Sequence, residues 1–170
     1  MTDGPRWWRG GVLYEVYPWS FADSDGDGVG DLRGAIERLD HVARLGADAV
    51  WITPWFPSPM VDGGYDVADY CDIDPKLGSL DQADELIERA HALALKVVID
   101  MVANHSSDQH PWFQEALRAG ADDPARHRYV FRPGRGGVSL WCLSSCDGWS
   151  WLVVGPVAEH GVEDIDASSG

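Results

Sequence analysis

Asp23, Asp25, Asp27 and Asp31 fall within the nine residues DSDGDGVGD, with Gly26, Gly28 and Gly30 between them. Carboxylates this close repel one another unless solvent, loop flexibility or a cation compensates. Alternate side chains, together with the backbone carbonyl of Val29, can converge on a hard cation, and the glycines permit the sharp turning this requires. Loops of that kind usually close with a bidentate carboxylate at the twelfth position, where this chain has Gly34. The ligand set is then poorer in oxygens and leaves a place for water. The expectation is a structural hard cation held by Asp23, Asp25, Asp27, Val29 and Asp31. The alternative is a solvated turn whose last aspartate caps a helix.

Two further clusters carry possible chemistry. In DMVANHSSDQHPWF, Asp100, Asn104 and His105 stand at or just past the end of an apolar run. A histidine there can donate to a substrate oxygen, and a neighbouring carboxylate can fix its ring. A buried Asp and His satisfying loop backbone would read the same way. In VDGGYDVADY, Asp62, Tyr65 and Asp66 follow an earlier apolar run. A tyrosine face can stack on the apolar face of a sugar ring while Asp62 accepts from its hydroxyls. A Gly-Gly turn anchored by its tyrosine is the other reading. Trp51, Trp55 and Phe56 suit an aromatic platform or a core equally, whereas His110 and Trp112 read as packing for the segment that follows.

These residues need elements to hold them. GVLYEVYPWSF reads as a strand stopped by Pro18. Leu32, Ile36, Leu39, Val42 and Leu45 recur at helical spacing, with Asp31 as N-cap and Gly46 past the C-terminus. ADAVWIT is a second strand, ended by Pro54. Ser79 and Gln82 form a capping box that opens a helix to about Ala94, with Leu80, Ala83, Ile87, Ala90 and Ala94 facing inward. LKVVIDM is a third strand, apolar throughout, as expected of one covered on both faces. A short helix from Trp112 to Ala119 follows, then an ordered loop with a brief strand. Alternating strands and helices predict a parallel sheet, either open and doubly wound or closed as an eight-stranded barrel. No GxGxxG stands at the first strand-to-helix turn, which weighs against dinucleotide binding. From Gly136 onward no period persists, and residues 136–170 are expected to be an atypical tail, frame-shifted or disordered.

The chain has 170 residues, enough for a sizeable core, and a formal net charge of -15 from 28 acidic and 13 basic side chains. That balance argues against nucleic acid and against an anionic membrane as partners. Cys71, Cys142 and Cys146 match no disulfide or zinc spacing. No stretch approaches the length of a membrane span, and MTDGPRWWRGG lacks the form of a secretory signal, so a cytoplasmic location is expected.

Six blocks, WW…VLYEVYPWSF, DSDGDGVGDLRG, GADAVWITPWFPSP, GGYDVADY, DIDPKLGS and KVVIDMVANHSSDQHPWF, together resemble the alpha-amylase family, glycoside hydrolase family 13, near its alpha-glucosidase and oligo-1,6-glucosidase members. The resemblance covers residues 7 to 135 and implies an incomplete (β/α)8 barrel: residues 7–105 as its first three strands, and 106–135 as the start of the domain inserted after the third. It also implies that the acidic loop is the family's calcium loop, and that Asp62, Tyr65 and His105 line the subsite for a non-reducing glucose. Asp100 and Asn104 support that site, and an oligosaccharide or small alpha-glucoside is the expected substrate. Ala94 departs from the pattern, standing where relatives usually place glycine. The family's nucleophile Asp, acid/base Glu and supporting Asp come from later strands, and no acid in this chain matches them. The chain is therefore expected to be a catalytically incomplete part of a retaining alpha-glucosidase. Two alternatives are part of a glucosyltransferase or isomerase of the trehalose synthase or amylosucrase type, and a non-catalytic calcium- or sugar-binding partial barrel.

Overall fold

The computed structural model describes residues 6–135, 138–143 and 152–153. Contacts divide the chain into two compact units, residues 1–114 and 115–170.

The first unit is built on three parallel strands, β1 (Leu13–Val16), β2 (Ala49–Ile52) and β3 (Lys96–Ile99), in spatial order 1-2-3. Register runs from Leu13 opposite Ala49 to Val16 opposite Ile52, and from Ala49 opposite Lys96 to Ile52 opposite Ile99. Pro18 ends the first strand, as its missing N–H requires, and opens a single helical turn, α1 (Pro18–Phe21). Two longer helices, α2 (Leu32–Arg44) and α3 (Leu80–Ala92), make the crossovers.

Both long helices start where their caps dictate. The Asp31 carboxylate accepts the Gly34 N–H at 2.6 Å. At Ser79 the side chain accepts the Gln82 N–H at 3.4 Å, while the Gln82 amide oxygen accepts the Ser79 N–H at 3.1 Å, a reciprocal box. Leu32, Ile36, Leu39 and Val42 are buried with Val16, Val50 and Ile52 in one cluster that also takes Ala83, Leu86 and Ala90 from α3. Arg33 to Glu85 and Arg89 to Asp40 join the two helices at their exposed edges. Solvent screens exposed pairs of this kind, so they contribute little to stability.

Three expectations need correction. Leu45 is 58% exposed because α2 ends at Arg44. The buried stripe of α3 passes through Ala83, Leu86 and Ala90, spaced three and four apart, while Leu80 is 53% exposed and Ala94 lies beyond the last helical residue. Strand β3 is half-buried at every position rather than covered on both faces. It has one neighbour, β2, in the sheet as described, so its other edge is open.

Ala94 sits at φ 60°, and its N–H closes the end of α3 on the His91 carbonyl at 2.9 Å. An L-residue there is strained by roughly 1–2 kcal/mol, and glycine returns part of that as backbone entropy. Because Ala94 is exposed, little packing is at stake. Ala94→Gly is expected to stabilise the chain by about 0.5–1 kcal/mol, read as a higher urea midpoint at unchanged slope. An unchanged or lower midpoint contradicts it.

In the second unit, a 3-10 turn at Pro124–Arg128 is capped by Asp123, whose carboxylate accepts the Ala125 N–H at 2.8 Å. Strands β4 (Tyr129–Arg135), β5 (Val138–Leu143) and β6 (Leu152–Val153) form an antiparallel sheet in that order, with an irregularity between Arg132 and Arg135. The other residues of the segment 136–170, Cys146 among them, lie outside the described residues. The helix expected near Trp112 is α4 (Pro111–Arg118), and the division between the two units falls within it.

Candidate functional site

Side chains gather at the carboxyl ends of the parallel strands, where the loops after β2 and β3 begin. The ladder continues one step beyond the strands: Thr53 N–H donates to Val16 O at 3.1 Å, and Asp100 N–H to Ile52 O at 2.9 Å. That step fixes Asp100 at the rim. Its Oδ2 then accepts the Tyr65 hydroxyl at 3.0 Å, so a residue of the β2 loop is tied to the end of β3.

The bond has an electrostatic signature. Burial, reinforced by the adjacent Asp100 carboxylate, pushes the Tyr65 phenol up from 10.0 to about 12. A raised phenol favours the protonated, folded form. This contribution is therefore complete below about pH 10 and is lost as pH rises through about 12. In the phenolate titration of the native chain Tyr65 is expected to ionise near 12, a step absent in Tyr65→Phe and moved downward in Asp100→Asn. A Tyr65 that ionises near 10.0 contradicts the bond.

Asp66 organises the turn that carries Asp62 and Tyr65. Its carboxylate accepts the Ser58 hydroxyl at 2.7 Å, the Val61 N–H at 2.9 Å and the Asp62 N–H at 3.1 Å. Tyr65 N–H in turn donates to the Asp62 carbonyl at 3.0 Å. Gly63 and Gly64 have φ of 61° and 100°, and a Cβ on Gly64 would stand 3.3 Å from Pro54 O. This is a place where only glycine lets the loop fold tightly over the strand end. The Tyr17 hydroxyl, from the end of β1, donates to Gly63 O at 3.1 Å. The Asp62 side chain is left exposed.

On the β3 side, Asn104 and His105 are half-buried, with Asn104 Nδ2 3.4 Å from His105 Nδ1. With the amide donating to Nδ1, the ring proton sits on Nε2 and is free to donate elsewhere. Tyr70 spans the two loops: its hydroxyl lies 2.7 Å from Val102 O and 2.5 Å from His105 O. The Tyr70 ring packs against Phe56 at 5.7 Å and His110 at 5.6 Å between centroids. His110 is buried, accepts the Trp112 N–H on Nδ1 at 3.1 Å, and is held below the usual histidine value by that burial.

Of the residues singled out in the sequence, Tyr65 bonds Asp100, Asp62 meets Tyr65 through the backbone, and Asn104 meets His105. Trp55 and Phe56 belong to the core. Tyr17 and Tyr70 were not singled out; the one available cue was a tyrosine standing at each end of a strand or loop motif. A groove of about 710 Å³ opens elsewhere, beside β1, lined by Tyr14, Tyr17, Asp23, Glu37, Arg38 and His41, and none of Asp62, Tyr65, Asp100, Asn104 or His105 lines it.

In the acidic loop, Asp23, Asp25 and Asp27 can each bring one carboxylate oxygen within 4.8 Å of the others. Asp23 also accepts the N–H of Gly26 at 2.6 Å and of Gly28 at 2.8 Å. Those bonds, Gly28 first, hold its carboxyl below the usual range. Asp31 spends its oxygens differently, one on the Gly34 N–H and one on the backbone and hydroxyl of Ser24, each at 2.9 Å. Burial works against its ionisation, but those donors prevail and keep its carboxyl below the ordinary value.

The family description "Alpha amylase, catalytic domain" matches residues 15–151. A probable alpha-glucosidase of Rhizobium meliloti (strain 1021) is 58% identical over 148 residues, 85% of this chain and 26% of that protein. Trehalose-6-phosphate hydrolase of Escherichia coli (strain K12) is 51% identical over 134 residues, 79% of this chain and 24% of that protein. Among solved structures, the alpha-glucosyl transfer enzyme XgtA superposes with a TM-score of 0.72 at 53% identity, covering 76% of this chain and 24% of that one. The chain thus spans about a quarter of the length of these relatives. With a catalytic-domain match running through both loops of the site, the chain belongs to the alpha-amylase family, glycoside hydrolase family 13, and forms the first three parallel strands of its (β/α)8 barrel.

Proposed function

We propose that this chain supplies the glucose-holding part of an alpha-glucosidase-like enzyme that hydrolyses terminal alpha-linked glucose from oligosaccharides with retention. The observation that carries this reading is the Tyr65 hydroxyl on Asp100, which ties to the strand ends the half-buried tyrosine of the turn that also carries the exposed Asp62. Tyr65 offers its ring to the apolar face of the sugar. Asp62 accepts from its hydroxyls, and His105 donates to a sugar oxygen through Nε2. Asp100 and Asn104 hold Tyr65 and His105 in place. Retaining hydrolysis also needs a carboxylate nucleophile and a carboxylic acid about 5 Å apart across the glycosidic bond. The family resemblance puts neither among these 170 residues.

Nitrophenyl alpha-glucoside tests this division of labour. The purified 170-residue chain is expected to bind it, in competition with glucose, and to release no nitrophenol. Release would show that a competent acid pair exists within the chain, and absence of binding would remove the glucose site. A second reading, glucosyl transfer in place of hydrolysis, draws support from the likeness to XgtA. Products formed with sugar acceptors by a protein containing the whole barrel separate the two.

The acidic loop suits Ca2+. Asp23, Asp25 and Asp27 would hold it through hard oxygens, with the Val29 carbonyl as a further ligand, and Asp31 would act as helix cap beside it. The ion would brace the β1–α2 connection and take no part in bond breaking. The exposed free thiol of Cys71 supports a reducing, cytoplasmic setting. Among the described residues no helix is long and apolar enough to cross a membrane. The surplus of acidic side chains argues against nucleic acid as a partner.

A further inference from the structure

The two halves of the site lie on different loops, far apart in sequence, and a sugar can engage both only if the loops keep a fixed relation. Two phenolic hydroxyls supply that relation. One is the Tyr65 bond to Asp100; the other, five residues on, is Tyr70. Its single proton is shared between the carbonyls of Val102 and His105, at 2.7 and 2.5 Å. The ring cannot swing away, being packed between Phe56, a core residue, and buried His110. His110 is itself fixed by the Trp112 N–H on its Nδ1. From this chain of contacts we infer that Tyr70 is a positioning residue for sugar binding: its hydroxyl ties the Val102–His105 backbone to the β2 loop and so aims the His105 imidazole at the position faced by Tyr65 and Asp62. The inference rests on the reading of that rim as a glucose site.

Tyr70→Phe keeps the ring and removes the hydroxyl that makes the tether. In the 170-residue chain, with maltose as the probe, it is expected to weaken binding about tenfold, the scale of one well-made hydrogen bond. The His105 ring resonances should shift, and amide exchange at 102–105 should quicken by about the same factor. Leu86→Ala is the control for a merely structural role. Leu86 is fully buried and stands on α3, which carries none of the site residues, so that variant should melt at lower temperature with maltose affinity and His105 resonances intact. Unchanged His105 resonances and exchange in Tyr70→Phe overturn the inference, as does an equal disturbance from Leu86→Ala. If the parent chain takes up no maltose, the sugar reading fails by itself, and the resonance and exchange measurements still decide whether the tether exists.

Discussion

Gly34→Ala is expected to cost the chain about 1–3 kcal/mol, in a helix where the same exchange would ordinarily be stabilising. Glycine inside a helix usually forfeits backbone entropy relative to alanine, so the intrinsic preference favours the variant by roughly 1 kcal/mol. Packing reverses the sign. A Cβ at position 34 would stand 2.3 Å from Ala22 O and 2.7 Å from its carbonyl carbon, both backbone atoms that cannot rotate aside. The first turn of α2 lies that close to the end of α1 because Asp31 caps it through the Gly34 N–H and donates its own N–H to Ala22 O at 2.9 Å. Gly30→Ala should be at least as damaging, since its Cβ would fall 2.1 Å from Pro18 O. Gly10→Ala, which meets nothing within 4 Å, is the matched control and should stay within about 0.5 kcal/mol of the parent. Urea midpoints of the three variants check this; a Gly34→Ala chain as stable as Gly10→Ala refutes the close approach.

Calcium should have an effect of comparable size on the neighbouring loop. A ligand that binds only the folded chain adds about 2.7 kcal/mol when its free concentration is about a hundred times its dissociation constant. The melting temperature is therefore expected to rise on titration with Ca2+ and to return on chelation. Asp25→Asn keeps a side-chain acceptor for the Asp27 N–H, at 3.1 Å in the parent, while removing one charge from the three-carboxylate group. That variant should lose most of the calcium response yet melt like the parent in chelator. A parent whose melting is indifferent to calcium shows that the aspartates are served by the loop's own N–H groups alone. The Gly26, Gly28 and Val29 amides would then be their partners.

The local parts of this architecture were legible in the sequence. Asp31 and the Ser79–Gln82 pair announce helix starts because capping joins residues three apart, and the strands announce themselves by composition. Asp62, Tyr65, Asp100, Asn104 and His105 could be placed at strand ends because an alternating strand and helix pattern leaves few other positions for them. The expected burial of β3 on both faces failed for a reason of assembly. An apolar strand reads as covered, but its cover comes from neighbours that its own residues do not encode. Leu80 and Leu86 show the same limit on a smaller scale, since a periodic face has a direction only once the partner surface is known. Tyr17 and Tyr70 were invisible for a related reason: their bonds close over 46 and 32 to 35 residues, and nothing local distinguishes a tethering tyrosine from a packing one.

The account depends on Asp62, Tyr65 and His105 acting on one ligand, although the described hydrogen bonds join them through Asp100, Asn104, Tyr70 and backbone rather than directly. Site-resolved NMR of the 170-residue chain titrated with maltose measures this directly. The predicted result is a single saturating set of shifts at Asp62, Tyr65, Asn104 and His105, all with one dissociation constant. Shifts confined to the groove around Tyr14, Glu37 and His41, or unrelated responses from the two loops, would contradict it.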